Sequence, residues 1–326
     1  MSTKINSTIL TTDLGWLIKW IQAEFYAVHD DIQNQAKPMY TSIFNTDTGT
    51  GAQWHEKIVS WVDGLKPVAE GQKIPELSEY LWDEVTYKYF KFGWDIVVSK
   101  ESIDDTDWKS ELSSFKKLSK GSQADKDKHA FMVINKWFDS GTSFDGFNIF
   151  KMTNHPRLFS VAHSLANGTT YSNVLSNSAP LSNTSLQAMI NLLIKTPLEN
   201  GEPQDFSGPK VLLVPTALHS LALQITQSIR VQGSNNNDMN VFSNIEVMSS
   251  PRLDAQFGWS DTAFYLLAKW DMNGLYFIER APITMESKYD ELTQVIHNII
   301  SGRWAAWFKD WKGIVASKWD NSTISV

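Results

Sequence analysis

Residues 82–98 read Trp82-Asp-Glu-Val-Thr-Tyr-Lys-Tyr-Phe-Lys-Phe-Gly-Trp-Asp-Ile-Val-Val98, and this stretch decides the predicted fold. Its β-branched and aromatic residues are interrupted by lysines, a pattern typical of ribbon strands that are partly exposed. Gly93 is the residue of this stretch that adopts positive φ freely, so we place a bend near it. The stretch therefore predicts an extended two-stranded ribbon. Its aromatic residues are candidate contacts with another chain: Tyr87, Tyr89, Phe92 and Trp94.

One helix is predicted after the ribbon, over about residues 122–140. Ser122-Gln-Ala-Asp125 resembles a capping box, and Ser140-Gly141 is a typical glycine stop. The first half of the helix is almost wholly polar, and its apolar residues lie in the second half: Phe131, Ile134, Trp137 and Phe138. An exposed ribbon and a half-bare helix leave strand edges and apolar surface uncovered in a monomer. We therefore expect other copies of this chain to cover them.

The composition is that of a globular protein, with 42% apolar and 20% charged residues in a chain of 326. The length predicts one elaborate domain or two. The lack of cysteine excludes disulfides and thiolate metal sites and fits a reducing compartment. A formal net charge of −7 argues against a protein that grips nucleic acid with its whole surface. The start has no signal-peptide run and no apolar stretch is long enough to span a bilayer, so no membrane partner is predicted.

A narrow apolar stripe predicts a helix near the N-terminus, with residues spaced alternately by four and three: Leu14, Ile18, Ile21, Phe25, Val28 and Ile32. Three interpretations stay open. The helix packs on the chain's own core, or it is an arm laid on a neighbouring subunit, or it lies on a membrane surface. The acidic residues Glu24, Asp30 and Asp31 disfavour the last. As an arm, the helix would bring Leu14, Ile18 and Phe25 to the neighbour.

Motifs for catalysis, metal and cofactor binding are missing, so we predict no enzyme, no catalytic residue, no metal and no cofactor. Gly49-Thr-Gly51 follows no strand and lacks the remainder of a phosphate loop. The acidic cluster at residues 104–107 lacks the EF-hand glycine and glutamate and is better interpreted as helix-capping groups. His129, His155 and His163 have no ligand partners at metal-binding spacing. Tryptophans and carboxylates would suit a glycoside-cleaving cleft, but no particular carboxylate pair is indicated.

The second half of the chain predicts an α/β subdomain. Ser182 or Asn183 caps a helix, residues 211–214 form a buried strand, and a further strand covers residues 244–249. Asn273-Gly274 predicts a hairpin turn between two strands. Residues 283–316 are expected to return as a strand to the long helix. The polar stretch 41–71 is interpreted as a linker or arm, and the Ser/Asn-rich stretch 162–185 as a surface loop.

The order of these parts resembles that of a tailed-bacteriophage major capsid protein. The motifs that carry the resemblance are, in chain order, Ile103-Asp-Asp105, Asp145-Gly with Ile149-Phe and Asn154-His155-Pro156, Leu181-Ser with Leu186, Val211-Leu-Leu-Val-Pro-Thr-Ala-Leu218, Ser249-Ser-Pro-Arg-Leu253, Ala263-Phe-Tyr-Leu-Leu267 and Phe277-Ile-Glu-Arg280. The major head subunits of Mu-like phages are the most similar group.

The resemblance implies an α+β fold of the Hong Kong 97 type. Its parts would be an N-terminal arm (1–70), an extended β-hairpin loop (71–100), a peripheral domain with a spine helix at about 122–140 (101–180), an axial α/β domain (181–280) and a return to the peripheral domain (281–326).

The resemblance also implies a function and partners. The chain would assemble with itself into hexamers and pentamers of an icosahedral shell around packaged double-stranded DNA, in the virion, after assembly in the bacterial host cytoplasm. Expected partners are a portal, a separate scaffolding protein, since only a short arm precedes the ribbon, and cement proteins. The alternatives are an encapsulin-like nanocompartment shell and, from another class, a carbohydrate-binding or glycoside-cleaving protein.

Overall fold

The computed structural model describes residues 38–59, 68–74, 81–104, 109–136, 157–175, 179–204, 206–228 and 242–317, together with helical positions between 15 and 27, three two-residue strands between 143 and 151, and Asn240. The strands are β1 (Asn45–Thr48), β2 (Gln53–Val59), β3 (Leu81–Lys88), β4 (Phe90–Ser99), β5 (Ser143–Phe144), β6 (Phe147–Asn148), β7 (Phe150–Lys151), β8 (His163–Ser164), β9 (Thr170–Tyr171), β10 (Lys210–Val214), β11 (Ile245–Ser249), β12 (Phe264–Ala268), β13 (Leu275–Asp290), β14 (Val295–Phe308) and β15 (Ile314–Ser317). The α-helices are α1 (Lys100–Asp104), α2 (Lys109–Lys136), α3 (Asn183–Ile194) and α4 (His219–Gln227).

The first sheet has the strand order β1-β13-β14-β4. β13 and β14 form a long antiparallel hairpin, and β14 pairs on its other side with β4 from Trp304 opposite Phe90 to Val295 opposite Ser99. Alternate residues of β14 are buried, whereas Ile299 between them is exposed. This period of two means that one face of the sheet packs on the core and the other faces solvent.

The predicted two-stranded ribbon with a bend near Gly93 is wrong. The two strands exist, but β3 pairs with β2 and β7, whereas β4 pairs with β14. Gly93 lies inside β4, opposite Ser301, and the break between the strands is at Tyr89. The residue pattern identifies strands because it reports half-buried extended backbone. It does not identify their partners: β3 pairs with β2 before it and with β7 after it, whereas the partner of β4 lies about 200 residues further along the chain.

The long helix α2 begins earlier than predicted, at Lys109, directly after the acidic cluster at residues 104–107. Ser122 is therefore no N-cap: it lies inside the helix and its hydroxyl donates to the carbonyl of Ser119. The polar half is not bare, since Ser119, Gln123 and Lys126 are all buried. Lys126 is buried because its ammonium group meets the carboxylate of Glu279 on β13 at 2.7 Å. The predicted glycine stop at Gly141 lies outside the described residues.

The second sheet, in the order β11-β10-β12-β15, is covered on both faces. In β10, Leu212 packs with α3 and α4 in one hydrophobic cluster, while its neighbour Leu213 joins the cluster of the first sheet. A strand buried on both faces is apolar throughout, which explains the continuous run at residues 211–214. α3 begins as predicted, with Ser182 and Ser185 forming a reciprocal capping box.

Three other expectations are wrong. Asn273-Gly274 does not turn a hairpin, because β12 and β13 belong to different sheets; Gly274, with φ of 63°, ends a 3₁₀ turn at the crossover. Residues 41–71 are not a mere linker, since they contain β1 and β2 and bury Phe44. The stretch 162–185 is not only a surface loop, because Asn173 and Val174 are buried. In each case long-range packing decides the outcome, which local composition does not report.

A buried group of charges joins the turn between β14 and β15 to the segment after α3. The ammonium group of Lys312 is 2.7 Å from the carboxylate of Glu199 and 3.0 Å from that of Asp310. Burial alone would lower the pKa of Lys312, but Asp310 and Glu199 outweigh it and the pKa is raised. Glu199 also accepts the backbone N–H of Ala166, so it joins the β8–β9 loop to the C-terminal strand. Trp311, between Asp310 and Lys312 in the sequence, stacks on His163 with ring centres 4.1 Å apart.

We predict that Lys312→Met destabilises the protein by about 3–5 kcal/mol, because it leaves Glu199 buried without a counter-charge. Lys309→Met is the matched control, since the pair of Lys309 with Glu56 is about a third exposed. The control should cost no more than about 1 kcal/mol. Equilibrium unfolding in urea measures both. Equal, small losses for the two variants would contradict a structural role of the buried group.

Candidate assembly surface

The sheet formed by β13, β14 and β4 offers the surfaces best suited to contact with another molecule. Its inner face packs on α2: the indole N–H of Trp304 donates to Nδ1 of His129 at 3.0 Å, and Phe92 stacks on both rings. Lys126 lies 5.6 Å from the Trp304 ring centre. These contacts lock the sheet to the helix, so the outer face is a rigid platform rather than a mobile ribbon.

Three of the seven predicted contact residues are buried within their own chain. Tyr87 is 1% exposed, stacks on Trp307 with ring centres 4.0 Å apart, and donates its hydroxyl to the carbonyl of Phe308. Tyr89 and Phe25 are buried as well. Buried side chains have little surface left for a neighbour. Their sequence signal, an aromatic residue in a strand or helix stripe, is the same for a core and for an interface.

The other four differ in accessibility. Trp94 is 69% exposed although it follows Phe92 on the same face of β4. Phe92 and Ile18 are half-buried, and Leu14 lies outside the described residues. Trp94 is therefore the predicted contact residue that the structure leaves most available. An inter-subunit role for all seven remains a prediction.

The N-terminal helical residues lie against β13 of their own chain. Phe25 belongs to the hydrophobic cluster of the first sheet, and the hydroxyl of Tyr26 accepts the backbone N–H of Met285 at 3.1 Å. The amide of Gln22 donates to Ser287 at 3.5 Å. Of the three interpretations of this helix, these contacts favour packing on the chain's own core.

The antiparallel pair β2–β3 is attached to the C-terminal end of β14. Lys309 forms an ion pair with Glu56 on β2 at 2.5 Å, and Trp54 lies beside Trp307 with ring centres 6.1 Å apart. Burial alone would lower the pKa of Lys309, but its hydrogen bond and charge attraction to Glu56 raise it. With the bond of Tyr87, these contacts hold one end of the pair firmly. Between its strands, the described residues 68–74 are all exposed.

Sequence reasoning missed several exposed apolar side chains on this side of the molecule. Leu292, in the turn between β13 and β14, is 94% exposed, while Ile299 and Val97 are diagonal neighbours on the outer face of the sheet. Single apolar residues carry no signal before strand register is known. Only the pairing of β14 with β4 brings Ile299 and Val97 together.

Two of the three histidines that the sequence offered as a metal cluster pack against aromatic side chains instead. His129 contacts Trp304, whereas His163 contacts Asn173 and Trp311; His155 is outside the described residues. Within the part of the chain that the structure describes, no group of three or more His, Asp or Glu side chains is placed to hold a metal ion. No helix among the described residues is long and apolar enough to cross a membrane.

Part of this chain is similar in sequence to a known protein family. Residues 159–317, just under half of the chain, match the family model described as phage capsid protein. The chain has a phage capsid fold. No curated protein matches it in sequence.

Solved structures agree with this fold at low sequence identity. The structure titled Mycobacterium phage Patience aligns with a TM-score of 0.53 and 11% identity over 93% of this chain and 90% of its own. The capsid of an empty GTA particle aligns with a TM-score of 0.52 and 11% identity over 86% of this chain and 90% of its own. The virus-like particle from Pyrococcus furiosus aligns with a TM-score of 0.50 and 10% identity over 93% of this chain and 99% of its own. The predicted α+β Hong Kong 97-type fold is confirmed, and the match of residues 159–317 to the phage capsid family model supports the predicted resemblance. Phage capsid proteins form a structural class, so the prediction of no enzyme agrees with the match.

Two glycines of this capsid-fold chain give opposite predictions. A Cβ on Gly93 would lie 2.7 Å from the carbonyl oxygen of Ile300, whereas a Cβ on Gly121 inside α2 would meet nothing within 4 Å. Gly93→Ala should force β4 and β14 apart and cost about 1–3 kcal/mol. Gly121→Ala should stabilise by about 0.5–1 kcal/mol, since alanine favours the helix. Thermal unfolding of both variants measures the two effects, and a stabilising Gly93→Ala would contradict the observed strand pairing.

Proposed function

We propose that the chain is the major head subunit of a tailed bacteriophage, assembling into hexamers and pentamers of an icosahedral shell that encloses packaged double-stranded DNA. The observation that carries the proposal is the capsid fold over the chain together with the family match of residues 159–317. Shell proteins need surfaces that keep one geometry while repeating by symmetry. The sheet locked on α2 keeps such a geometry, and Trp94 is exposed on its inner face, on the same side of β4 as Phe92.

The charge balance supports the role of container rather than DNA-neutralising protein. The chain has 36 acidic and 29 basic residues, so DNA would be confined by the wall rather than bound tightly by it. Packaged DNA repels a wall of like charge. Enclosure therefore depends on the strength of contacts between subunits, which add up over the shell.

The proposal includes partners and a location. A head that is filled with DNA needs a portal, and we expect a separate scaffolding protein and cement proteins. The finished location is the virion, following assembly in the bacterial host cytoplasm. Contact with itself is the partnership that the exposed Trp94 supports, because aromatic side chains are enriched at protein interfaces.

An encapsulin-like nanocompartment shell is the second candidate. The alignment with a virus-like particle favours it at the level of fold, while the family match favours the phage head. Gene neighbours for a portal and a DNA-packaging motor would distinguish the two. The carbohydrate-binding alternative loses the support of the C-terminal tryptophans, because Trp304, Trp307 and Trp311 are at most 3% exposed and cannot stack on a sugar.

Trp94→Asp tests the role of the sheet in assembly. Since Trp94 is 69% exposed, the free energy of unfolding should change by no more than about 0.5 kcal/mol. Loss of an aromatic contact worth about 2 kcal/mol per subunit should raise the concentration needed for assembly more than tenfold. Negative-stain microscopy of the purified variant should show few or no shells.

Trp94→Phe is the matched control and should assemble, because it keeps an aromatic ring. Phe92→Asp is unsuitable, since Phe92 stacks on Trp304 and His129 and its loss should unfold the monomer. Normal shells from Trp94→Asp at wild-type protein concentration would show that this part of the sheet is no subunit contact.

A further inference from the structure

Two like charges face each other on the outer face of the first sheet. Lys91 on β4 and Arg303 on β14 are directly opposite in register, so their side chains lie on the same face. Neither has an ion pair or hydrogen bond with any residue that the structure describes. Like charges directly opposite across two strands repel and destabilise the sheet. A bound anion would remove this cost.

The two cations line a cavity made by an irregularity of the neighbouring strand. The pairing of β13 with β14 shifts register around Ala281, between Glu279 and Thr284, and strand bulges of this kind open the surface. The resulting cavity of about 490 Å³ is lined by Lys91, Arg303, Thr284 and Ser301, with Tyr89 among the remaining lining residues. A bulge beside a pair of unpartnered cations is typical of a binding site rather than of plain structural surface.

Tyr89 reports the local charges. Its side chain is buried, and its hydroxyl has no hydrogen-bond partner and lies against Gly49, where a Cβ would be 2.2 Å away. Burial raises the pKa of Tyr89, the positive charges of Arg280 and Arg303 act against that rise, and Asp47 adds to it. Two cationic side chains therefore act on this position against one nearby carboxylate, and Lys91 lines the same cavity. The net local potential favours an anion.

An acidic and apolar turn is exposed at the far end of the same hairpin. Asp290 is occupied within the turn, where it accepts hydrogen bonds from the N–H of Leu292 and the hydroxyl of Thr293. These bonds lower the pKa of Asp290 and order the turn. Glu291 has no described partner, and Leu292 beside it is 94% exposed.

This turn matches the surface around the cavity. Ile299 is the next outward-facing residue of β14 after Ser301, which lines the cavity, so an acidic side chain with an apolar neighbour would find a cation and an apolar contact together. A DNA phosphate would use the cations but not the apolar side chain of Ile299. The turn cannot reach the cavity of its own chain, because Val295 and Arg303 are eight residues apart on one strand, or roughly 26 Å.

We propose that the Lys91–Arg303 cavity binds the carboxylate of Glu291, with Leu292 on Ile299, from a second copy of this chain. The proposal rests on the shell function proposed above. The contact joins two different surfaces, so repetition forms a ring when the rotation between copies closes. A ring of this kind would be one of the contacts between neighbouring subunits of the shell.

Charge reversal tests the proposal on the full-length chain. Lys91→Glu places a carboxylate opposite Arg303 and should raise the melting temperature of the unassembled subunit, since repulsion becomes attraction. The same variant should need at least tenfold more protein to assemble, as judged by light scattering and negative-stain microscopy. Stability and assembly thus move in opposite directions, which a merely structural role does not produce. Lys288→Glu, an exposed lysine on the same outer face outside the cavity, is the matched control and should assemble like wild type.

The occupant is tested by a second reversal. Glu291→Lys alone should impair assembly, and Glu291→Lys combined with Lys91→Glu and Arg303→Glu should restore it at least partly. Glu70→Lys, in the exposed 68–74 segment, is the control: combined with Lys91→Glu and Arg303→Glu, it should not restore assembly.

Several results would overturn the proposal. The first is that Lys91→Glu assembles like wild type. The second is that Glu70→Lys, in place of Glu291→Lys, restores assembly to the Lys91→Glu, Arg303→Glu chain. The third is that Lys91→Glu forms normal shells, but that those shells contain less DNA than wild type when produced in a packaging host. The last would assign the cavity to DNA phosphate. If the wild-type chain forms no particles, the proposed shell function fails; if wild type and all reversed variants assemble alike, only this contact fails.

Discussion

The pairing of β4 with β14 is the constraint on which the rest of the structure depends. It joins residues 90–99 to residues 295–304. The intervening chain, which includes strands of the second sheet, must therefore come back to the first sheet. Closing so long a loop costs configurational entropy, which the chain recovers by packing Trp304 and Phe92 on α2 and by extending β14 into the hairpin with β13. A platform held by both ends of the chain cannot be detached without unfolding most of the molecule.

The two hydrophobic clusters are coupled rather than independent. The second sheet has one face in each cluster, and the buried ion group of Lys312, Glu199 and Asp310 ties the segment after β14 to the loop between β8 and β9. Such coupling suits a subunit that must present several surfaces in a fixed mutual geometry. Contacts of modest strength then add up when the same subunit repeats. The exposed Trp94, the cavity at Lys91 and the turn at Leu292 all lie on the one sheet that this coupling holds in place.

Sequence reasoning succeeded where the signal was local. The capping box at Ser182, the buried strand at 211–214 and the existence of strands on both sides of Tyr89 follow from side-chain chemistry and period. It failed where the answer depends on a distant partner: the hairpin at Asn273-Gly274, the bend at Gly93 and the bare half of α2 all look different once their neighbours are known. Family resemblance recovered the fold because the order of parts is retained even where single turns mislead. The candidate site was least predictable, since Lys91 and Arg303 are ordinary surface residues until strand register places them opposite each other.

The central claim is that this chain is a subunit that completes its surfaces only with copies of itself. Mass photometry of the purified full-length protein over a range of concentrations tests it most directly. The account predicts a cooperative transition from the single-chain mass to discrete particles of megadalton mass, with few species between them. A population that stays at the single-chain mass at every concentration, while folded and soluble, would contradict it.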